Sequence, residues 1–318
     1  RECFPLLRNK EPCGSERKVI RMRIIDAHMH FARRRNFDID AQNAGHVNTA
    51  EHYLKACREN GVVMSIVMGN GDGGPAAYGG VVPQVPDLAG NFDLAHYNQP
   101  REIAYCAGIQ SELITPEKAE KTALEVERFL QTPQCVGIKI YTGYNRVYAD
   151  DPRHYPLYEL AAAYDVPVVF HTGDTAGGHG ELKYAHPLTI DPVAVKFPRT
   201  TFIIAHCGNP WILDAAEVMA KNKNVCVDLS GLLEGNFDGA IFYEKHRDYF
   251  RYLRMWLDYT DRYEKVLYGT DWPLINLRSY IDVMKLVIPE AQHEAFFYKN
   301  ALRVYRKLQV LLPKEETL

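Results

Sequence analysis

The sequence lacks a long apolar run, a long basic run and a paired-cysteine motif. No stretch approaches the roughly 18 apolar residues that a membrane span needs. The formal net charge of −3 gives no basic surplus for nucleic acid. None of the seven cysteines shows CxxC spacing, and Cys106, Cys135 and Cys226 lie in apolar runs, where free thiols are usually small buried hydrophobes. Since residues 1–21 also lack the apolar core of a secretory signal, we expect a cytoplasmic protein without membrane or nucleic-acid partners.

Short apolar runs instead alternate with longer amphipathic segments along the chain. We count eight such pairs from Met22 onward, a pattern typical of successive βα units around a parallel sheet. Length alone would also permit two ordinary domains, but no change in composition marks a boundary. We therefore predict a single α/β domain over residues 22–318. It would be a (β/α)8 TIM barrel, which could be distorted, with long βα loops and C-terminal helices, after an irregular N-terminal extension over residues 1–21.

The predicted elements have recognisable ends. The first strand carries His28, and the other seven strands cover 62–68, 103–109, 136–141, 166–171, 201–206, 225–230 and 266–271. The main predicted helices cover 49–60, 156–164, 190–197, 209–221, 277–287 and 289–307, and a further helix opens at Thr115-Pro116. The long segment 69–98 is rich in glycine, which predicts a substrate-facing insertion.

Polar residues recur where the predicted strands end. Alternate side chains of a strand share one side, so His28 and His30 can direct two imidazoles at one point. Four more such residues end later strands: Lys139, His171, His206 and Asp271. A single histidine at a strand end is more often structural. However, the C-terminal ends of parallel barrel strands open onto one face, and four histidines with a carboxylate there predict a site for Zn²⁺ or a related divalent ion.

Five segments carry a family resemblance: Ile25-Asp26-Ala27-His28-Met29-His30, Gly137-Ile138-Lys139-Ile140, Pro167-Val168-Val169-Phe170-His171-Thr172-Gly173, Phe202-Ile203-Ile204-Ala205-His206-Cys207-Gly208 and Leu267-Tyr268-Gly269-Thr270-Asp271-Trp272-Pro273. In this order they resemble the amidohydrolase superfamily, in its amidohydrolase-related branch of metal-dependent hydrolases and decarboxylases. A weaker match is Val227-Asp228-Leu229-Ser230-Gly231.

The resemblance implies a divalent ion, with zinc favoured and manganese as an alternative, held by His28, His30, His171 and Asp271. Asp271 could also accept a proton, and His206 could act as general acid or base. In binuclear members a carboxylated lysine bridges two ions, which would add Lys139 and His206 as ligands. The wider pattern follows the branch in which one metal is common, so we favour one ion.

Nearby side chains suggest the substrate. Candidate contacts are Tyr141, Arg146, Thr172 and Trp272. Cationic and aromatic groups would suit an anionic, planar compound, although Arg146 could equally be a solvated surface charge. Asp26 and Asp228 are candidates to orient metal-bound histidines.

Three functions follow from these patterns. We favour a metal-dependent hydrolase of a small carbonyl compound, such as a lactone, amide or cyclic ester, using metal-activated water. The alternative is a nonoxidative decarboxylase of an aromatic or unsaturated carboxylic acid. A metal-binding barrel without catalysis is the weakest, because a buried charged cluster in a cleft is costly unless function holds it there. The partner would be a small-molecule substrate, and the aromatic-rich segment 237–263 could form a homodimer face.

Overall fold

The structure, a computed structural model, describes residues 22–30, 35–69, 81–82, 101–176 and 178–312. Its strands are β1 Ile24–Met29, β2 Val62–Met68, β3 Val81–Val82, β4 Ile103–Ile109, β5 Cys135–Ile140, β6 Val168–Phe170, β7 Phe202–Ile204, β8 Val225–Asp228 and β9 Val266–Leu267. All but β3 are parallel neighbours in chain order, and β3 pairs with β4 in the antiparallel sense. The predicted extension 1–21 and most of the predicted loop 69–98 lie outside the described residues.

Backbone hydrogen bonds connect the end of the sheet back to its first strand. The amide of Ala27 donates to the carbonyl of Tyr268 at 2.9 Å, and the amide of Asp271 donates to the carbonyl of His28 at 2.8 Å. Eight parallel strands therefore form a nearly closed barrel. This confirms the predicted (β/α)8 fold and brings residues of the first and last strands together.

Helices alternate with the barrel strands. They are α1 Arg35–Asn43, α2 Ala50–Asn60, α3 Ala119–Leu130, α4 Tyr155–Ala163, α5 Asp191–Lys196, α6 Ile212–Lys221, α7 Gly239–Lys245, α8 Arg247–Thr260, α9 Leu277–Val287, α10 Asn300–Val304 and α11 Leu308–Leu311. Helix α2 begins after Thr49, whose hydroxyl accepts from the amide of His52, and ends at Gly61 with φ 79°. Within the described ranges, no helix is long and apolar enough to span a membrane.

Two predicted strands are too long, because they include residues whose backbone has a positive φ. The predicted sixth strand runs to His206, but β7 ends at Ile204 because His206 and Cys207 have φ of 58° and 47°. The predicted eighth strand runs to Asp271, which has φ of 63°, whereas β9 ends at Leu267. A left-handed residue cannot continue a strand. The predicted helix 289–307 is also interrupted, by a 3₁₀ turn at Glu290–Gln292 and a π-helix at Ala295–Lys299.

The barrel interior is filled by apolar side chains. Residues from several strands, including Met64, Ile203 and Leu267, form a buried cluster with Leu308 of α11. A larger cluster lies between strands and helices. The five described cysteines are buried and unpaired, which confirms the expectation for Cys106, Cys135 and Cys226.

Candidate metal centre

Two histidines and one carboxylate converge across the barrel closure. His28 lies in β1, His30 follows that strand, and Asp271 follows β9. The Nε2 atoms of His28 and His30 lie 3.6 and 3.1 Å from Asp271 Oδ1, and their ring centroids are 5.4 Å apart. One ligand atom from each residue can be chosen so that all three lie within 4.8 Å of one another.

The donor set fits a divalent ion. His28 Nε2 is buried and has no hydrogen-bond partner, although buried polar atoms are nearly always paired. A cation beside this nitrogen would satisfy it. Imidazole and carboxylate donors together suit zinc and related divalent ions, so His28, His30 and Asp271 can hold such an ion.

Asp228 orients His28. Its Oδ2 lies 2.9 Å from His28 Nδ1, and because an ionised carboxylate can only accept, Nδ1 carries the proton and Nε2 the lone pair. Burial lowers the pKa of His28 to about 3, and the cation of Lys139 acts in the same direction, so the ring is neutral. Burial raises the pKa of Asp228, but the hydrogen bonds from His28 and from the Ser230 hydroxyl help to hold it well below its usual range. The predicted orienting role fits Asp228.

Asp26, the other predicted orienting carboxylate, has a different position. It accepts from the Thr270 hydroxyl at 2.6 Å and the Thr270 amide at 2.9 Å. Its one contact with His28 is to the backbone amide, at 3.3 Å. Asp26 therefore holds the segment that leads into Asp271 and does not orient the ring of His28.

His171 and His206 lie beside this cluster. The His206 ring centroid is 4.9 Å from that of His28 and 5.1 Å from that of His171. His206 Nδ1 lies 3.0 Å from both the carbonyl oxygen and the hydroxyl oxygen of Ser230. That hydroxyl donates its proton to Asp228 Oδ1 at 2.6 Å, so it too accepts from His206. His171 Nε2 lies 3.0 Å from the carbonyl of Asp174. Carbonyls only accept, so in the neutral rings the lone pair is on His206 Nε2 and on His171 Nδ1. Among the described residues, a second group with ligand atoms within 4.8 Å of one another is His28, His206 and Asp228. His171 belongs to neither group, and Nδ1 is the nitrogen that it could offer to an ion.

Gly231 is a site residue that the sequence did not single out. It has φ of 62°, and a Cβ built there would lie 2.7 Å from Asp271 Oδ2 and 2.8 Å from His206 Nδ1. The site thus leaves no space for a side chain at this position. The only signal in the sequence is the weak match Val227-Asp228-Leu229-Ser230-Gly231. It also contains Asp228, which contacts His28, and Ser230, which contacts His206.

Lys139 is buried in β5. Its Nζ has no hydrogen-bond partner and lies 5.1 Å from the ring centroid of Tyr141. Burial lowers the pKa of Lys139 to about 8, while the charges of Asp228 and Asp271 oppose that shift. A buried amine near an imidazole–carboxylate cluster is compatible with a cation and with a carboxylated lysine.

The predicted substrate contacts separate into two groups. Tyr141 is 7% exposed, and its ring lies 6.4 Å from that of His30, which keeps it at the site. Thr172 and Trp272 are fully buried. The Thr172 hydroxyl donates to the carbonyl of Ala205 at 2.6 Å. Neither side chain reaches solvent, and direct contact of Thr172 or Trp272 with a substrate stays a prediction.

Arg146 lies at the surface. Its side chain is 58% exposed, and its Nε donates to Glu181 Oε1 at 2.8 Å. This ion pair joins the loop after β5 to the loop after β6. It fits the alternative of a solvated surface charge.

The amidohydrolase family model matches residues 105–307, which is more than half of the chain. The chain belongs to this family. The predicted superfamily is thereby confirmed, and this amidohydrolase has relatives that are enzymes. No protein with a curated description matches the chain.

Solved structures show the same fold at low identity. A 2,6-dihydroxybenzoate decarboxylase from Rhizobium is similar with a TM-score of 0.62 and 17% identity, over 90% of this amidohydrolase and 99% of that chain. A dihydroxybenzoic acid decarboxylase from Polaromonas sp. JS666, with bound manganese and the inhibitor 2-nitroresorcinol, is similar with a TM-score of 0.59 and 16% identity. The match covers 90% of this chain and 97% of that chain. A probable 2-pyrone-4,6-dicarboxylic acid hydrolase from Acinetobacter baumannii, with citric acid bound, is similar with a TM-score of 0.57 and 15% identity. The match covers 90% of this chain and 100% of that chain. These likenesses show the fold, and they include both reaction types.

Proposed function

We propose that the chain is a metal-dependent hydrolase of a small carbonyl compound such as a lactone, amide or cyclic ester. His28, His30 and Asp271 would hold the ion, with His171 as a further ligand through Nδ1. A bound divalent ion lowers the pKa of a coordinated water and polarises a substrate carbonyl. The observation that carries the choice of hydrolysis is the hydrogen bond between His206 and the carbonyl of Ser230.

That hydrogen bond makes His206 a proton acceptor at its other nitrogen. With its proton held on Nδ1, the neutral ring can take a proton from an attacking water at Nε2 and return it to a leaving group. A Nε2–H tautomer would instead start the reaction as a donor. Asp271, itself a candidate ligand, is ionised: burial raises its pKa, but the hydrogen bond and charge of His30 lower it well below the usual range. An imidazole acceptor beside an ionised carboxylate ligand suits activation of water.

We propose one ion per chain. His28, His30 and Asp271 offer ligand atoms within 4.8 Å of one another. A second such group, His28, His206 and Asp228, is already joined by the hydrogen bond between His28 Nδ1 and Asp228 Oδ2. In this arrangement Lys139 stays an unmodified cation. Metal analysis of the purified protein should give about one equivalent, and two equivalents would overturn this part of the proposal.

A decarboxylase of an aromatic or unsaturated carboxylic acid is the second candidate. It is favoured by the fold likeness to two decarboxylases and by the buried Nζ of Lys139, which has no hydrogen-bond partner and could pair with a substrate carboxylate. Tyr141, beside both Lys139 and His30, would contact a planar ring.

Isotope labelling separates the two reactions. The metal-loaded protein would be incubated in ¹⁸O-water with a panel of lactones and amides and a panel of hydroxybenzoates. Hydrolysis predicts ¹⁸O in the product carboxyl group. His206→Gln should lower kcat by about 10²- to 10⁴-fold, the usual contribution of a general acid–base group. The matched control is His154→Gln, a change at another buried histidine, which is hydrogen-bonded to Ser111. This variant should keep the kcat of the wild type. Release of carbon dioxide without ¹⁸O in the organic product would overturn hydrolysis in favour of decarboxylation.

A further inference from the structure

We infer that Asp228 is a positioning residue that sets the tautomer of His28 and couples this ligand to His206 through the two oxygens of one carboxylate. The inference rests on the proposed metal role of His28. Its central observable, the position of a proton on His28, can be measured in the metal-free protein.

The two carboxylate oxygens of Asp228 accept hydrogen bonds from different partners. Oδ2 accepts from His28 Nδ1 at 2.9 Å. Oδ1 accepts from the His206 amide at 3.0 Å, the Ser230 amide at 3.1 Å and the Ser230 hydroxyl at 2.6 Å. Asp228 is 1% exposed, so water does not replace these partners. One carboxylate thus holds a ring from β1 and the backbone of the residues after β7 and β8.

The bond to the His206 amide holds an unusual backbone. His206 has φ of 58°, a left-handed conformation that costs an L residue free energy and persists only where surrounding contacts enforce it. The Asp228 Oδ1 contact is one such restraint, and the bond from His206 Nδ1 to the Ser230 carbonyl is another. Asp228 therefore positions the ring of His28 and the main chain of His206 together.

An amide at position 228 cannot serve both groups. In Asp228→Asn the two backbone amides of His206 and Ser230 need an acceptor, so the amide oxygen is drawn to the Oδ1 position. The NH₂ group then faces His28 Nδ1, which must become an acceptor. The His28 proton moves to Nε2, the nitrogen nearest Asp271, and a protonated nitrogen cannot bind a metal ion.

Ser230→Ala is a matched control. It removes one donor to Oδ1 and a hydroxyl oxygen 3.0 Å from His206 Nδ1, but leaves the bond between Oδ2 and His28 Nδ1. Both backbone amides still have the carboxylate as acceptor. The control therefore perturbs the same carboxylate without any reason for the His28 tautomer to change.

The experiment is a long-range ¹H–¹⁵N correlation on metal-free protein labelled with ¹⁵N-histidine, with His28 assigned as the signal lost in His28→Gln. We expect the Nδ1–H tautomer in the wild type and in Ser230→Ala, and the Nε2–H tautomer in Asp228→Asn. Zinc affinity, measured by competition with a chelator, should fall by about 10- to 100-fold in Asp228→Asn, the usual effect of losing a group that orients a metal ligand. Circular dichroism would check that each variant is folded.

The outcomes separate this inference from the proposed function. A Nε2–H tautomer in the wild type would overturn the inference without any variant, even if Asp228→Asn failed to fold. An unchanged His28 tautomer in folded Asp228→Asn would overturn it too. If the tautomer reverses as expected but the wild type neither binds zinc nor turns over any substrate, the positioning role stands and the proposed function fails.

Discussion

Gly231→Ala tests whether the arrangement of Asp271 and His206 is needed for metal binding. The added Cβ would lie 2.7 Å from Asp271 Oδ2 and 2.8 Å from His206 Nδ1, well inside the roughly 3.5–4.0 Å at which nonbonded carbon atoms are most favourable. One or both groups must move. Asp271 would shift relative to His30 Nε2, now 3.1 Å from its Oδ1, and His206 would shift relative to the Ser230 carbonyl.

The substitution also strains the backbone, and a control variant measures the free-energy cost of that strain alone. Gly231 has φ of 62°, where an L side chain costs about 1–2 kcal/mol. Gly235 has φ of 92°, and a Cβ there would have nothing within 4 Å. Gly235→Ala therefore brings a similar backbone penalty without a clash. We expect both variants to lose about 1–2 kcal/mol of unfolding free energy from backbone strain. Only Gly231→Ala should also lose zinc binding.

The assay is urea unfolding of both variants and the wild type, with and without zinc. At a zinc concentration about 100 times Kd, binding adds about 2.7 kcal/mol to the unfolding free energy. We expect this increment in the wild type and Gly235→Ala, and little of it in Gly231→Ala. If Gly231→Ala gains the same increment as Gly235→Ala, the spacing of Asp271 and His206 does not control metal binding, and the reasoning is refuted.

Two further predictions concern buried groups away from the metal centre. Burial lowers the pKa of His154 from 6.5 to about 4, so as the pH falls through 6.5 the unfolded chain binds a proton that the folded chain does not. The unfolding free energy should fall by about 1.6 kcal/mol from this group between pH 6.5 and 5. Urea unfolding at several pH values should show a smaller fall in unfolding free energy between pH 6.5 and 5 for His154→Gln than for the wild type. Equal falls in the two proteins would contradict the lowered pKa of His154. Lys307 donates to the carbonyls of Leu130, Thr132 and Cys135 at 2.7, 2.6 and 2.6 Å. Lys307→Met leaves these carbonyls without the charged donor and should cost about 2–4 kcal/mol with zinc stoichiometry unchanged; a loss within measurement error would argue against a structural role for the ammonium.

Local patterns were sufficient for much of the fold. The bounds of β2, β4 and α9 agree with the sequence prediction residue for residue, because apolar periodicity and flanking turn residues act over neighbouring positions. The same local rule paired His28 with His30, since alternate residues of one strand share a side. Thr172 and Trp272 show its limit: their positions next to site residues in the chain did not reveal that both side chains are fully buried.

The sequence by itself thus determined the order of strands and helices, the family and the histidines and aspartate at the barrel rim. Only the tertiary structure decided how these groups are held. Asp228 lies 200 residues from His28 in the chain, and Gly231 meets Asp271 and His206 because β8 lies between β9 and β7 in the sheet. Hydrogen-bond partners and the space available at a residue depend on elements distant in the chain, and periodicity carries no information about them. The tautomers of His28, His171 and His206, on which the chemistry rests, follow from those contacts.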